Sequence, residues 1–128
     1  MGQYLIDTNV ISDYFSASFS AGGIALMDTV FDAVPKLSVI TQIELLCWKS
    51  ATEKDLEVLR NFINDALVIE LEQPIKLRAA DIRKAYKIKL PDAIIAATAL
   101  VYNLTLLSRN ISDFGGISGL KIINPWDK

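Results

Sequence analysis

The chain has 128 residues, of which 52% are hydrophobic and 22% are charged, and its net charge is −2. This composition excludes a disordered or fibrous protein, and the length predicts a single domain spanning residues 1–128. The charge excludes a large basic footprint for nucleic acid, although acids gathered around bound cations would leave the remaining surface near neutral.

The composition also bears on the cellular compartment. Cys47 is the single cysteine, and an unpaired thiol suits a reducing interior. The N-terminus has no basic segment followed by an apolar core, as a signal peptide would. The longest apolar stretch, Ala93 to Leu107, is interrupted by polar residues and is too short to span a bilayer. We therefore expect a cytoplasmic protein.

Short segments rich in β-forming residues alternate along the chain with longer segments of helical spacing. Strands divided by helices pair in parallel through right-handed crossovers. The expected fold is therefore α/β, a Rossmann-like three-layer α/β/α sandwich around a central parallel sheet of about five strands. The predicted strands are Tyr4–Ile6, Leu37–Ile40, Leu67–Leu71, Thr105–Leu107 and Lys121–Ile123.

Between these strands, local signals predict several helices and one loop. Residues 16–23, SASFSAGG, are expected to form a loop or a junction between helices. Thr41 and Glu44 form a capping-box pattern ahead of a helix over residues 42–49. A helix is predicted over residues 73–87, with Leu77, Ala80 and Lys84 along one line. Pro91 suits the first turn of a further helix over residues 92–102.

Acidic residues fall where the carboxyl ends of the predicted strands would meet. Asp7 ends the first strand, Glu44 lies one helical turn beyond the second, and Asp113 follows the fourth. Asp92 opens the helix that leads into the fourth strand. Ligands of open parallel sheets bind outside these strand ends, so four acids from distant stretches could converge at one edge.

Such a cluster must be neutralised by protons or by cations. Two carboxylates about 4 Å apart repel by roughly 4 kcal/mol at an effective dielectric near 20. Oxygen ligands suit Mg²⁺ or Mn²⁺, whereas the usual zinc site is excluded because the chain has no histidine and one cysteine. Without histidine as a general acid or base, metal-assisted hydrolysis is the remaining route for a nuclease.

Four segments resemble the conserved blocks of the PIN domain, and their order and compactness are similar to those of the VapC-type toxins of bacterial toxin–antitoxin pairs. The segments are YLIDTNVIS, LSVITQIELL, LPDAIIAATAL and LLSRNISDF with the later LKIINP. This resemblance implies a Mg²⁺-dependent endoribonuclease that hydrolyses RNA with metal-activated water. It also implies an α/β/α sandwich, a cognate antitoxin as partner and a homodimer.

The same resemblance assigns the metal ligands and their neighbours. The ligands would be Asp7, Glu44, Asp92 and Asp113. Supporting polar residues would be Thr8, Asn9, Ser108, where the family commonly has Thr, and Asn110. Some relatives carry an acid at the position of Asn110, which leaves open how much of the last ligand position falls to Asp113. Candidate RNA contacts are Arg109, Lys84, Lys87 and Lys89, for which an ordinary solvated face is the alternative.

Each acid also has an ordinary structural explanation. Asp7 could cap the following helix, and Glu44 could belong to the capping box. Asp92 is favoured by the helix dipole, and Asp113 could start a turn. These separate explanations do not account for four acids at one predicted edge in the family's order. We therefore favour the metal site.

A non-catalytic α/β signalling or interaction module, such as a phospho-receiver domain, is the alternative function. A receiver also has an Asp at a strand end, but it usually pairs that residue with a second acid nearby and brings a Lys from the end of its last strand. The last predicted strand here ends in Ile123-Asn124-Pro125. A dinucleotide-binding fold is weaker still, because no G-x-G-x-x-G follows the first strand.

Two tryptophans and one further acid complete the predictions. Aromatic residues are enriched at interfaces, so Trp48 and Trp126 could mark a partner surface, but we expect Trp48 to be buried in the core. Asp13 is expected to lie on the surface without a special role.

Overall fold

Five short parallel strands form one sheet in the computed structural model, which describes residues 3–15 and 19–127. The strands are β1 (Tyr4–Ile6), β2 (Lys36–Ser38), β3 (Leu67–Ile69), β4 (Thr105–Leu107) and β5 (Ile122–Ile123). Their order in the sheet is β3-β2-β1-β4-β5, and every neighbouring pair is parallel. The predicted parallel sheet of about five strands is therefore confirmed.

Helices connect consecutive strands. They are α1 (Thr8–Phe15), α2 (Ala21–Asp32), α3 (Val39–Leu46), α4 (Glu53–Asp65), α5 (Gln73–Ala85), α6 (Leu90–Val101) and α7 (Ile111–Phe114). A C-terminal 3-10 turn (Pro125–Asp127) packs on α2. Every helix of the described residues is too short or too polar to cross a membrane.

The sheet is covered on both faces, which gives the three layers. Successive residues of a strand point to opposite faces, and β1 shows this with Leu5 and Ile6, which are both wholly buried but belong to different apolar clusters. Leu5 packs with residues of α5 and α6, and Ile6 packs with residues of α1, α2 and α4. The α/β/α sandwich is therefore confirmed.

The strand order reverses between β1 and β4, which lie side by side at the centre of the sheet. Their register pairs Ile6 with Leu107, and the backbone N–H of Asp7 donates to the carbonyl oxygen of Leu107 at 2.9 Å. In open α/β sheets this is where ligands bind. Receiver domains use the different order 2-1-3-4-5, so the topology does not favour the receiver-like alternative.

The predicted capping box at Thr41 and Glu44 is wrong. The helix begins earlier, at Val39, because the side chain of Ser38 caps it by accepting from the backbone N–H of Ile40 at 3.1 Å. Thr41 is instead wholly buried inside α3. A capping box does exist in the chain, but it joins Thr52 and Asp55 at the start of α4.

Two helix predictions also need correction. Helix α5 ends at Ala85, and its buried face is formed by Ile75, Ala79 and Ile82, whereas Leu77 of the predicted line is 60% exposed. The predicted loop over residues 16–23 is wrong from residue 21 onward, because Ser20 accepts from the backbone N–H of Gly23 and starts α2. Residues 16–18 of that prediction lie outside the described residues.

Candidate functional site

Asp7 lies at the carboxyl end of β1 and is only 5% exposed. Its Oδ1 accepts from the backbone N–H of Thr8 at 2.8 Å. Its Oδ2 accepts from the hydroxyl of Ser108 at 2.8 Å and from the side-chain amide of Asn9 at 3.1 Å. Because Ser108 directly follows β4, this carboxylate joins the two strands at which the sheet order reverses.

The environment of Asp7 opposes its ionisation. Burial raises the pKa of Asp7 above its ordinary value of 3.8, and the negative charge of Glu44 raises it further. The hydrogen bonds from Ser108, Thr8 and Asn9 favour the charged form and lower the pKa, but the net shift is upward. The site therefore holds an acid whose negative charge is only partly compensated by its neighbours.

Glu44 reaches the same edge from α3. Its Oε1 accepts from the hydroxyl of Thr8 at 2.7 Å, although the two residues are 36 positions apart. The Thr8 hydroxyl also lies 3.4 Å from that of Thr41, which is buried in α3. Thr8 therefore ties the first turn of α1 to α3 and keeps the exposed carboxylate of Glu44 next to Asp7.

Asp92 lies in the first turn of α6 and is half-buried. Its pKa is raised above 3.8, first by burial and then by the charges of the other three acids, Asp7, Asp113 and Glu44, whereas Lys89 lowers it. A raised pKa is unusual at a helix N-terminus, where the helix dipole favours negative charge. The structure thus brings the four predicted acids within electrostatic range of one another at one edge of the sheet.

Asp113 lies on α7 and is exposed. Its Oδ2 accepts from the side-chain amide of Asn110 at 2.8 Å, and the backbone N–H of Asn110 donates to the Ser108 hydroxyl at 2.9 Å. Ser108 donates in turn to Asp7. A continuous chain of hydrogen bonds therefore connects the last of the four acids to the first.

Residues 4–115 match the family model described as the PIN domain. The chain belongs to the PIN-domain family. A structure described as a toxin–antitoxin complex from Klebsiella pneumoniae is 32% identical to this chain, with a TM-score of 0.78 over 97% of this chain and 98% of that chain. A comparison with curated proteins finds no match.

Two further solved structures support the fold of this PIN domain. FitAcB from Neisseria gonorrhoeae is 25% identical, with a TM-score of 0.80 over 98% of this chain and 100% of that chain. VapBC2 from Rickettsia felis, bound to a DNA fragment from its promoter, is 21% identical, with a TM-score of 0.79 over 94% and 97% of the two chains. The resemblance to the PIN family predicted from the four sequence segments is confirmed.

The acids described in this PIN domain do not form a complete metal-binding site. In residues 3–15 and 19–127, no group of three or more acidic or cysteine side chains is arranged so as to enclose an ion. The donor set nevertheless fits a hard divalent cation, because it offers only oxygen and because burial, together with the neighbouring acids, raises the pKa of Asp7 and Asp92, so that a bound cation would offset their charge. Mg²⁺ typically keeps several waters and needs only one or two carboxylates, so an incomplete cage suits it.

Arg109 is anchored beside the acids. Its backbone N–H donates to Oδ1 of Asn9 at 3.1 Å, and its guanidinium lies 3.5 Å from the carboxylate of Asp13. The prediction that Asp13 is an ordinary surface residue is wrong, because its side chain is only 14% exposed and accepts from the indole N–H of Trp126 at 2.7 Å. This acid links α1 to the C-terminal turn and forms an ion pair with Arg109.

The three lysines of the predicted RNA contacts are exposed. Lys84 is in the last turn of α5, Lys87 lies in the following loop, and Lys89 is the residue before α6. Lys89 is close enough to Asp92 to lower its pKa. The roles predicted for these lysines, for Arg109 and for the acids stay predictions.

The prediction that Trp48 is buried in the core is also wrong. The residue is 40% exposed rather than buried, because α3 ends at Leu46 and the chain turns outward there. Trp48 lines a cavity of about 330 Å³ together with Thr8 and Glu44. The cavity therefore opens directly beside the acid cluster.

Proposed function

We propose that this PIN domain, a single domain over residues 1–128, is a Mg²⁺- or Mn²⁺-dependent endoribonuclease and the toxin of a toxin–antitoxin pair. The observation that carries the proposal is the hydrogen-bond network among the acids, since Ser108 and Asn110 connect Asp7 to Asp113, and Thr8 donates to Glu44 from the residue next to Asp7. Membership of the PIN family supports nuclease activity, and the Klebsiella pneumoniae relative is described as a toxin–antitoxin complex.

Asp7, Glu44, Asp92 and Asp113 are proposed as the residues that hold the metal. Bound Mg²⁺ or Mn²⁺ would lower the pKa of a water nucleophile and offset the charge that develops on the leaving oxygen. Asp7 is the most constrained of these ligands, because it is 5% exposed and accepts three hydrogen bonds. Its orientation is therefore set before substrate binds, which limits the reorganisation needed during the reaction.

The supporting residues position these acids. Thr8 fixes Glu44 through a hydrogen bond of 2.7 Å, and Asn9 and Ser108 both donate to Asp7. Asn110 donates to Asp113 and thereby orients the most exposed end of the cluster. None of these groups titrates near neutrality in its free form, so their proposed task is to hold carboxylates in place rather than to move protons.

RNA would reach the acids past basic side chains. Arg109 is proposed as a phosphate contact, because its backbone is fixed by Asn9 while its side chain remains 56% exposed. Lys84, Lys87 and Lys89 precede the helix that carries Asp92 and would meet the phosphates of an approaching strand. We further propose a cytoplasmic homodimer whose cognate antitoxin blocks the site.

A cleavage assay on total RNA with mapping of the product ends tests this function. With Mg²⁺ we expect cleavage that leaves 5′-phosphates and that stops when the metal is chelated, because water rather than the 2′-hydroxyl is the proposed nucleophile. Asp7→Asn should abolish cleavage while the circular dichroism spectrum is retained. Asp65→Asn is the matched control, since Asp65 is an exposed acid at the end of α4. Unchanged cleavage by pure Asp7→Asn protein would refute the proposal.

A further inference from the structure

A groove leads away from the acid cluster along α1, α3 and α4. It consists of the cavity of about 330 Å³ beside Thr8 and Glu44 and a second cavity of about 410 Å³ that ends at Lys54. The two cavities share Phe15, Trp48 and the side chain of Ser12 as a common wall. We call this continuous depression the Trp48 groove.

The lining of the Trp48 groove changes in character from one end to the other, in the order in which a nucleotide chain presents phosphate, base and phosphate. One end opens on Thr8 and Glu44, where the scissile phosphate of the proposed reaction must lie. The middle is formed by two aromatic rings, Phe15 and Trp48. The far end carries the exposed cation of Lys54, whereas Asp55 beside it is engaged in capping α4. The scissile phosphate would meet the metal that the acids are proposed to hold, the base would meet an aromatic ring, and the outer phosphate would meet the cation of Lys54.

The part of Trp48 that is available to a ligand is its indole ring rather than its N–H group. The indole N–H already donates to the hydroxyl of Ser50 at 3.1 Å, so the side chain has no hydrogen-bond donor left to satisfy. The residue is nevertheless 40% exposed, so part of its ring faces solvent. Aromatic faces of this kind stack on nucleobases of single-stranded RNA with little regard to sequence.

We propose that the Trp48 groove binds the nucleotide adjacent to the scissile phosphate, with its base stacked on Trp48 and its outer phosphate beside Lys54. This inference rests on the proposed ribonuclease function, and it makes single-stranded RNA the substrate class. A base in a duplex is already stacked on its neighbours, so it cannot enter the groove without being unpaired first. Trp48 is then a substrate-binding residue that favours cleavage next to an unpaired base.

The test combines variants of Trp48 with substrates that lack one base. The probes are short single-stranded RNAs that carry the mapped cleavage site, either intact or with one abasic ribose on either side of the cleaved bond. Loss of a stacked base corresponds to about a tenfold effect, so we expect Trp48→Ala to lower kcat/KM on intact RNA about tenfold. On the RNA lacking the stacked base, the variant and the unaltered protein should be equally slow.

Two further variants separate stacking from a loss of structure. Trp48→Phe retains a ring and should keep most of the activity. Ile24→Ala removes a side chain of the same 40% exposure from α2, outside the lining of the groove, and should leave kcat/KM unchanged. An equal penalty for base removal in Trp48→Ala and in the unaltered protein would overturn the inference. The same holds if Trp48→Ala cleaves RNA normally and loses only its inhibition by an antitoxin peptide.

Failure of the proposed function gives a different result. If the unaltered protein cleaves no RNA with Mg²⁺, the ribonuclease proposal fails, and the groove is then examined by binding. Trp126→Phe leaves Trp48 as the only tryptophan, so its fluorescence can be followed while a short single-stranded RNA is added. Quenching that saturates, together with loss of binding of a fluorescently labelled form of the same RNA in Trp48→Ala, would support the groove as an RNA site. No quenching would overturn it.

Discussion

Removal of the Ser108 hydroxyl should destabilise the protein, and the loss should increase with pH. Ser108 is wholly buried, and its Oγ donates to Asp7 at 2.8 Å while accepting from the backbone N–H of Asn110 at 2.9 Å. Ser108→Ala deletes both hydrogen bonds and leaves a buried carboxylate with one donor fewer. The variant therefore probes the point where β1 and β4 are joined.

The magnitude follows from the two bonds. A neutral hydrogen bond contributes about 1 kcal/mol net, and one to a charged group contributes about 1.5–3 kcal/mol. With Asp7 ionised, Ser108→Ala should therefore lower the free energy of unfolding by about 2–4 kcal/mol. With Asp7 protonated, the bond to it is a neutral one, and the loss should fall to about 1–2 kcal/mol.

The direction of the pH dependence follows from the raised pKa of Asp7. Because the folded-state pKa lies above 3.8, ionisation of Asp7 favours the unfolded chain. The stability contributed by this group is fully present below pH 3.8 and is lost as the pH rises through the folded-state pKa. Without the Ser108 hydrogen bond, which lowers that pKa, the folded-state pKa rises further, so the window extends to higher pH and more stability is lost across it.

Urea denaturation of the metal-free protein at a series of pH values measures this effect. Ser112→Ala serves as the control, because Ser112 is exposed on the same turn and its hydroxyl contacts Asn110 at 3.3 Å rather than the buried acid. The control should change stability little at any pH. A destabilisation by Ser108→Ala that is the same below pH 3.8 and at neutral pH would refute the assignment of the hydrogen bond to ionised Asp7.

Three other outcomes are expected. Saturating Mg²⁺ should raise the melting temperature, because a ligand at 100 times its Kd adds about 2.7 kcal/mol to the free energy of unfolding. A melting temperature that metal does not change would contradict the proposed site. Asp92→Asn should raise the melting temperature of the metal-free protein, because it removes a negative charge that burial and then the other three acids disfavour. The same variant should abolish the Mg²⁺ response. Gly23→Ala should lower the free energy of unfolding by about 1–3 kcal/mol, because the added Cβ would lie 2.6 Å from the carbonyl oxygen of Pro125. Gly116→Ala is the control, because its added Cβ would have no atom within 4 Å, and chemical denaturation should show almost no change in its stability.

The central strands could be predicted closely, and the outer ones less well. The predicted bounds of β1 and β4 match the structure, because both are short runs of β-forming residues followed by a polar residue that does not continue the strand. The second strand was predicted to continue through Val39 and Ile40, whose branched side chains favour strands. Ser38 caps α3 at that point, and burial of the helix outweighs the local preference of two residues.

The candidate site followed from one general rule about parallel sheets. Asp7 and Ser108 could be placed together because both follow central strands, and the hydrogen bond between them agrees. The exposure of Trp48 and the contact between Asp13 and Trp126 could not be foreseen. They depend on how a chain turn and the C-terminal segment pack against distant helices, which no local pattern encodes.

The hydrogen bond between Asp7 and Ser108 joins residues 101 positions apart in the chain. During synthesis, the acid cluster can therefore form only after Ser108 has been made. A nascent chain carries Asp7 from the start, but β1 has no neighbour on its β4 side until residues 105–107 have left the ribosome. Contacts so distant in sequence form late in folding. An incomplete chain therefore lacks the assembled edge, and a prematurely terminated product that ends before β4 should be inert.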